Sequence, residues 1–133
     1  MQEFDLNTRL VSLPDADDSF PRVLSVLDES PCFRLSLDIS RDLSWFRGHF
    51  PGQPVLPGVV QLHWAVIVAR AFFEFPGSPQ EIKRLKFKKV VIPPQVLELS
   101  ISMQGSNEVQ FEFCGTDEQH SQGRLVFAEN AAC

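Results

Sequence analysis

Two histidines and the backbone amides at one helix start are the groups in this chain best suited to chemistry. His49 lies in the segment FRGHFPGQPVLPG (46–58), which holds Pro51, Pro54 and Pro57 at a spacing of three together with three glycines. No helix and no central strand survives prolines at that spacing. The segment is therefore a rigid loop that fixes the imidazole, and a slack loop would lose the positioning advantage. An imidazole has an unperturbed pKa of ~6.5, so it suits proton abstraction near neutral pH. The next segment, GVVQLHWAVIVARAFFE (58–74), reads as a helix, with Pro57 suited to its first turn. The first N–H groups of that helix, on Gly58 and Val59, lack intrahelical acceptors and point free donors at an incoming carbonyl oxygen. They would polarise it as an oxyanion hole does, and Gly58 allows close approach to the backbone.

The elements that must hold these groups follow from the pattern. The helix should run about 25 Å at 1.5 Å per residue. It is apolar nearly all the way round, so it must be buried on all sides. At about 100° per residue, His63, Arg70 and Glu74 fall within about 40° of one another, while Gln61 lies opposite. Pro76, Gly77 and Pro79 end the helix. Residues 22–29 and 32–40 read as strands. The second alternates well, with Phe33, Leu35, Leu37 and Ile39 set between Arg34, Ser36, Asp38 and Ser40. Four more strand-like segments follow the helix, at 81–92, 96–104, 108–115 and 122–129, separated by turn signals such as Gly105-Ser106-Asn107. Two strands, one long buried helix and four strands give an α+β domain. A sheet must curl about the helix, or lie on one side of it with a partner on the other. We expect one domain over 1–133, with 1–20 as a loose lead-in.

Composition narrows the class. The 133 residues are 44% apolar, with 12 Phe, 2 Trp and no Tyr. Such rings suit a core or an apolar pocket. The net charge of −5 and pI near 5.1 argue against nucleic acid as a partner. Cys32, Cys114 and Cys133 are widely spaced and form no CxxC, which suggests neither zinc nor a disulfide framework and fits free thiols in a reducing cytosol. The N-terminus does not read as a signal peptide. The longest apolar stretch, 59–71, is interrupted by Gln61, His63 and Arg70, short of the ~20 residues of a membrane span. A cytoplasmic location is expected.

The run Gly48-His49-Phe50-Pro51-Gly52-Gln53-Pro54-Val55-Leu56-Pro57-Gly58-Val59 resembles the active-site motif of the 3-hydroxyacyl-carrier-protein dehydratases, G-H-F-P-x-x-P-[apolar]-[apolar]-P-G-V, and matches every fixed position. Lys83 to Leu97 and Gly123 to Phe127 are similar to later strands of that family, so the resemblance covers roughly residues 22–129. The stretch GVVQLHWA is similar to dehydratases of aryl-polyene and related specialised lipid pathways. The resemblance implies a hot-dog fold, an antiparallel sheet wrapped around one long central helix, assembled as a homodimer or higher homo-oligomer. It implies dehydration of a 3-hydroxyacyl thioester carried on acyl carrier protein to the trans-2-enoyl thioester. His49 is the implied base, and Gly58, Val59, Phe50 and Pro57 contact the substrate. No metal or nucleotide cofactor is implied, since the substrate rides on a phosphopantetheine arm.

Two departures stand out. The family carries a Glu or Asp on the central helix, 14 residues after the motif His, which works on the His of the other subunit. Here that position is His63. Pro94-Gln95 replaces the family's Gly-Asp. His63 could stand in for the acid, titrating with His49 as a coupled pair. It could instead mark a thioesterase or a carrier-binding subunit without turnover, or be a hydrogen-bonded histidine of a dimer core. His120 is expected at the surface, in a turn. Arg70 and Glu74 form an i,i+4 pair with a structural role. In the basic run, Arg84, Lys86 and Lys88 share one strand face, with Leu85 and Phe87 on the other. That face is either solvated or a docking patch for an acidic carrier protein.

Overall fold

A computed structural model describes residue 13, residues 19–46 and residues 54–128. The chain forms six strands, β1 (Arg22–Glu29), β2 (Cys32–Ile39), β3 (Glu81–Phe87), β4 (Gln95–Gln104), β5 (Glu108–Cys114) and β6 (Gln119–Val126), and one long helix, α1 (Gly58–Phe73). A short 3₁₀ turn spans Ser44–Phe46. The strands make one antiparallel sheet in the order β1-β2-β4-β5-β6-β3, so β3 leaves the helix and pairs with the last strand at the sheet edge.

The alternation expected for 32–40 holds. Phe33, Leu35, Leu37 and Ile39 are buried, and the first three line up with Ile101, Leu99 and Leu97 of β4, which face the same core. Val109, Phe111 and Phe113 of β5 and Leu125 of β6 continue that face. Helix α1 packs across β4, β5 and β6. It sets Val60, Trp64, Ala65, Val68, Ala69 and Phe72 into the sheet, and Phe72 meets Phe33 at a ring separation of 5.1 Å. The buried Trp64 indole still finds an acceptor, donating to the Ser19 carbonyl oxygen at 3.1 Å.

Three bulges explain where simple alternation fails. In β1, Leu24 is the extra residue between Val23 and Ser25, and it is exposed. In β3, the step from Lys83 to Lys86 faces the shorter step from Arg124 to Gln122, and Arg84 adopts a left-handed φ of 54°. In β6, His120 is the extra residue, since Phe113 pairs with Ser121 and Cys114 with Gln119.

Four expectations need correction. Strand β6 begins at Gln119 rather than 122, because 119–121 still pair with β5. His120 is only 3% exposed, so it is neither in a turn nor at the surface. Strand β3 ends at Phe87 rather than 92. There the Lys88 and Lys89 N–H groups both donate to the single His120 carbonyl oxygen, at 2.8 and 3.3 Å, which terminates the ladder. Finally, α1 is not buried on every side within one chain. Val59, His63 and Arg70 are exposed, and Leu62, Val66 and Ile67 between them are half-buried. These six positions share one helix stripe, which the sheet of the same chain leaves open.

Candidate active site

The helix start is built by the last part of the proline segment. Leu56 and Val91 form an isolated antiparallel bridge, with the Leu56 N–H donating to the Val91 carbonyl oxygen at 2.9 Å. Both side chains are buried, which pins the chain just before the helix. Pro57 caps the helix with φ −60° and ψ 143° and has no side-chain cap to offer. Its carbonyl oxygen accepts from the Val60 and Gln61 N–H groups, at 3.1 and 3.4 Å. The Gly58 and Val59 N–H groups have no acceptor among the described residues.

These amides border a cleft of about 390 Å³ lined by Val55, Leu56, Pro57, Gly58, Val59 and Gln61 on one side and by Phe87 through Val90 on the other. The Phe87 ring lies against Gly58. A Cβ at position 58 would sit 2.7–2.9 Å from three of its ring atoms. The expected close approach to Gly58 is thus made, within the chain, by an aromatic ring that is itself 50% exposed.

The structure brings together Pro57, Gly58, Val59 and Lys88. His49 and Phe50 lie outside the described residues. His63 is exposed on the open helix stripe and does not line the cleft. The basic run is divided, which corrects the single face expected for it. Lys88 lies beyond the end of β3 at the cleft, whereas Arg84 borders a separate outer-face hollow with Gln110, Gln122 and Arg124. Lys83 shares Glu108 with Arg124, and Lys89 pairs with Glu118. Among the described residues no carboxylate neutralises Arg84, Lys86 or Lys88.

Pattern reading passed over two polar groups. Gln61 is 2% exposed and its Oε1 accepts from the Ser121 hydroxyl at 2.7 Å. The buried His120 places Nδ1 3.2 Å from the Lys89 carbonyl oxygen, tying β6 to the loop that borders the cleft. The available signal was the one polar residue on the core side of α1. The bulge that buries His120 has no sequence signature. Among the described residues the expected Arg70–Glu74 pair is not formed: the chain turns at Glu74, which has a left-handed φ of 59°, and Arg70 instead donates to the Pro76 carbonyl oxygen at 3.0 Å, a structural role at the helix end. Burial, then the charges of Glu112 and Glu98, push the Cys114 thiol up, which makes it a poor nucleophile. Among the described residues no cluster of three or more His, Cys, Asp or Glu could hold a metal ion. No helix among them is long and apolar enough to cross a membrane.

One long helix laid on a six-stranded antiparallel sheet is a hot-dog fold. The dehydratase domain from the CurF module of curacin polyketide synthase shares it with a TM-score of 0.67 over 90% of this chain and 47% of that one, at 14% identity. The family model described as "ApeI-like: ApeI dehydratase" matches residues 26–124, and the chain belongs to that family. The solved dehydratase heterocomplex ApeI:P from Xenorhabdus doucetiae is similar, with a TM-score of 0.73 and 30% identity, covering 80% of this chain and 96% of that one. The 3-hydroxyacyl-[acyl-carrier-protein] dehydratase FabZ of Pelotomaculum thermopropionicum is 35% identical over 91 residues, 62% of this chain and 64% of its own length. The FabZ of Lactiplantibacillus plantarum is 39% identical over 67 residues, 45% of this chain and 46% of its own length. The chain thus spans about half to two thirds of the length of these two FabZ relatives.

Proposed function

We propose that this protein dehydrates a 3-hydroxyacyl thioester, presented on acyl carrier protein, to the trans-2-enoyl thioester in fatty acid or aryl-polyene biosynthesis. The observation that carries the reading is the pair of unpartnered amides, Gly58 and Val59, opening into a largely apolar cleft at a helix start. A thioester carbonyl placed there gains two backbone donors and the positive end of α1. His49, from the motif loop, takes the proton from C2. The C–H electrons become the C2–C3 double bond. The 3-hydroxyl leaves and is protonated to water. The scheme uses no cofactor.

His63 fits the acid role only if a second copy supplies it, because within its own chain it is exposed and does not line the cleft. The open stripe of α1, with Val59 68% exposed, together with the exposed Phe87, Val90, Ile92 and Val96, supports a homodimer joined along that surface. Arg84, Lys86 and Lys88, which have no carboxylate partner among the described residues, are the proposed contacts for an acidic carrier protein, with Lys88 at the cleft itself. The unpaired thiols of Cys32 and Cys114 suit the reducing cytoplasm.

The test is to incubate the purified protein with a 3-hydroxyacyl-carrier thioester and follow enoyl absorbance and free thiol. Enoyl formation that His49→Ala abolishes is the expected result. Thiol release alone would make the protein a thioesterase, and neither signal would leave a binding subunit. A chain that is inactive alone and active with a second chain type would match the solved heterocomplex instead of a homodimer.

A further inference from the structure

The buried carboxamide of Gln61 has a use that neither the core nor the amide pair accounts for. Gln61 sits one turn into α1, three residues after Gly58 and on the same helix face. It is 2% exposed, and its polar end is held in place because Oε1 accepts from Ser121, itself fully buried on β6 opposite Phe87. A carboxamide has two further donors on Nε2. Neither has an acceptor among the described residues, yet Gln61 lines the cleft. A buried donor without a partner is costly in an apolar core, and a Leu or Met here would avoid that cost. The arrangement makes sense if an oxygen enters the cleft from outside.

We propose that Gln61 Nε2 donates a hydrogen bond to the 3-hydroxyl oxygen of the acyl chain and so selects hydroxylated over plain acyl thioesters. This rests on the dehydratase reading above. The carbonyl oxygen belongs at the Gly58 and Val59 amides. One helical turn further along is a rise of about 4.5 Å, and the Gln61 side chain leans back toward the helix start. The 3-hydroxyl follows the carbonyl by two carbons, so both oxygens can be held at once along one helix face. Ser121 is then a positioning residue, acting through Gln61, whose rotamer it fixes.

The experiment compares binding of a 3-hydroxyacyl-pantetheine and its 3-deoxy acyl counterpart to the full-length protein and to Gln61→Met, Gln61→Glu and Ser121→Ala. Gln61→Glu keeps the acceptor for Ser121 and loses both donors once its carboxyl is ionised, so its binding is read above the pH at which that buried group loses its proton. The wild type should prefer the hydroxylated ligand by about tenfold, the worth of one such hydrogen bond. Gln61→Met and Gln61→Glu should abolish that preference while binding the deoxy ligand unchanged. Ser121→Ala should retain part of it. Gln61 variants that keep the preference, or that lose both ligands equally, overturn the assignment of Gln61 and leave the dehydratase reading intact. A wild type that neither binds nor dehydrates the 3-hydroxyacyl ligand defeats the dehydratase reading, and the assignment falls with it.

Discussion

At the residue scale, the contact between Gly58 and Phe87 is the most informative. The ring occupies the space that a side chain at 58 would need, but it is half exposed. Gly58→Ala should therefore raise stability by about 0.5–1 kcal/mol in a Phe87→Ala background, and by less in the wild type, where the ring must move. A urea double-mutant cycle reads the difference. Cys114 gives a second prediction. Its raised pKa means the folded state holds the thiol proton more firmly than the unfolded chain. That contribution to stability is present below the unfolded thiol pKa and is lost as pH rises through the folded value. In a Cys32→Ser/Cys133→Ser variant, alkylation by iodoacetamide should set in at a higher pH for the folded protein than for the same chain in denaturant. His49 was singled out at this scale from the prolines around it, and its placement lies outside the described residues. His120 was not, since burial there comes from an extra residue in a ladder formed by distant segments.

At the element scale, β3 shows how a strand can obey its pattern and still be irregular. Ile82, Leu85 and Phe87 alternate poorly in sequence, yet Ile82 pairs with Leu125, Leu85 reaches the Gly123 position and Phe87 pairs with Ser121, all toward the core side. The bulge at Arg84 makes this possible by adding one residue to the step. Arg84 pays with a left-handed backbone, which a β-branched side chain tolerates badly. Arg84→Val should cost about 1 kcal/mol or more, whereas Lys86→Val should be close to neutral, as thermal unfolding would record. The core of β2, β4 and β5 needs no such device. Phe111→Ala, at a fully buried position, should cost about 3–5 kcal/mol. The strands with strict alternation were readable in advance because a period of two fixes which face is buried.

At the scale of the whole molecule, the open stripe of α1 sets the expectation. An apolar helix face left uncovered by its own sheet calls for a partner surface. On the proposed pairing, sedimentation should give twice the 15.0 kDa chain mass. Val59→Asp, at the exposed helix start, should shift the protein toward the monomer without unfolding it. A monomeric wild type would remove the homodimer from the proposal.

The sequence by itself determined the local rules: one helix too apolar to stand alone, a proline that starts it, and strands whose alternation named their buried faces. Those follow from backbone sterics and side-chain periodicity, which act over a few residues. Only the tertiary structure decided that Phe87 lies on Gly58, that Ser121 holds Gln61 beside the cleft, that His120 is buried and that His63 is exposed and does not line the cleft. Each of these depends on the register between strands far apart in the chain, and a bulge of one residue is enough to change it.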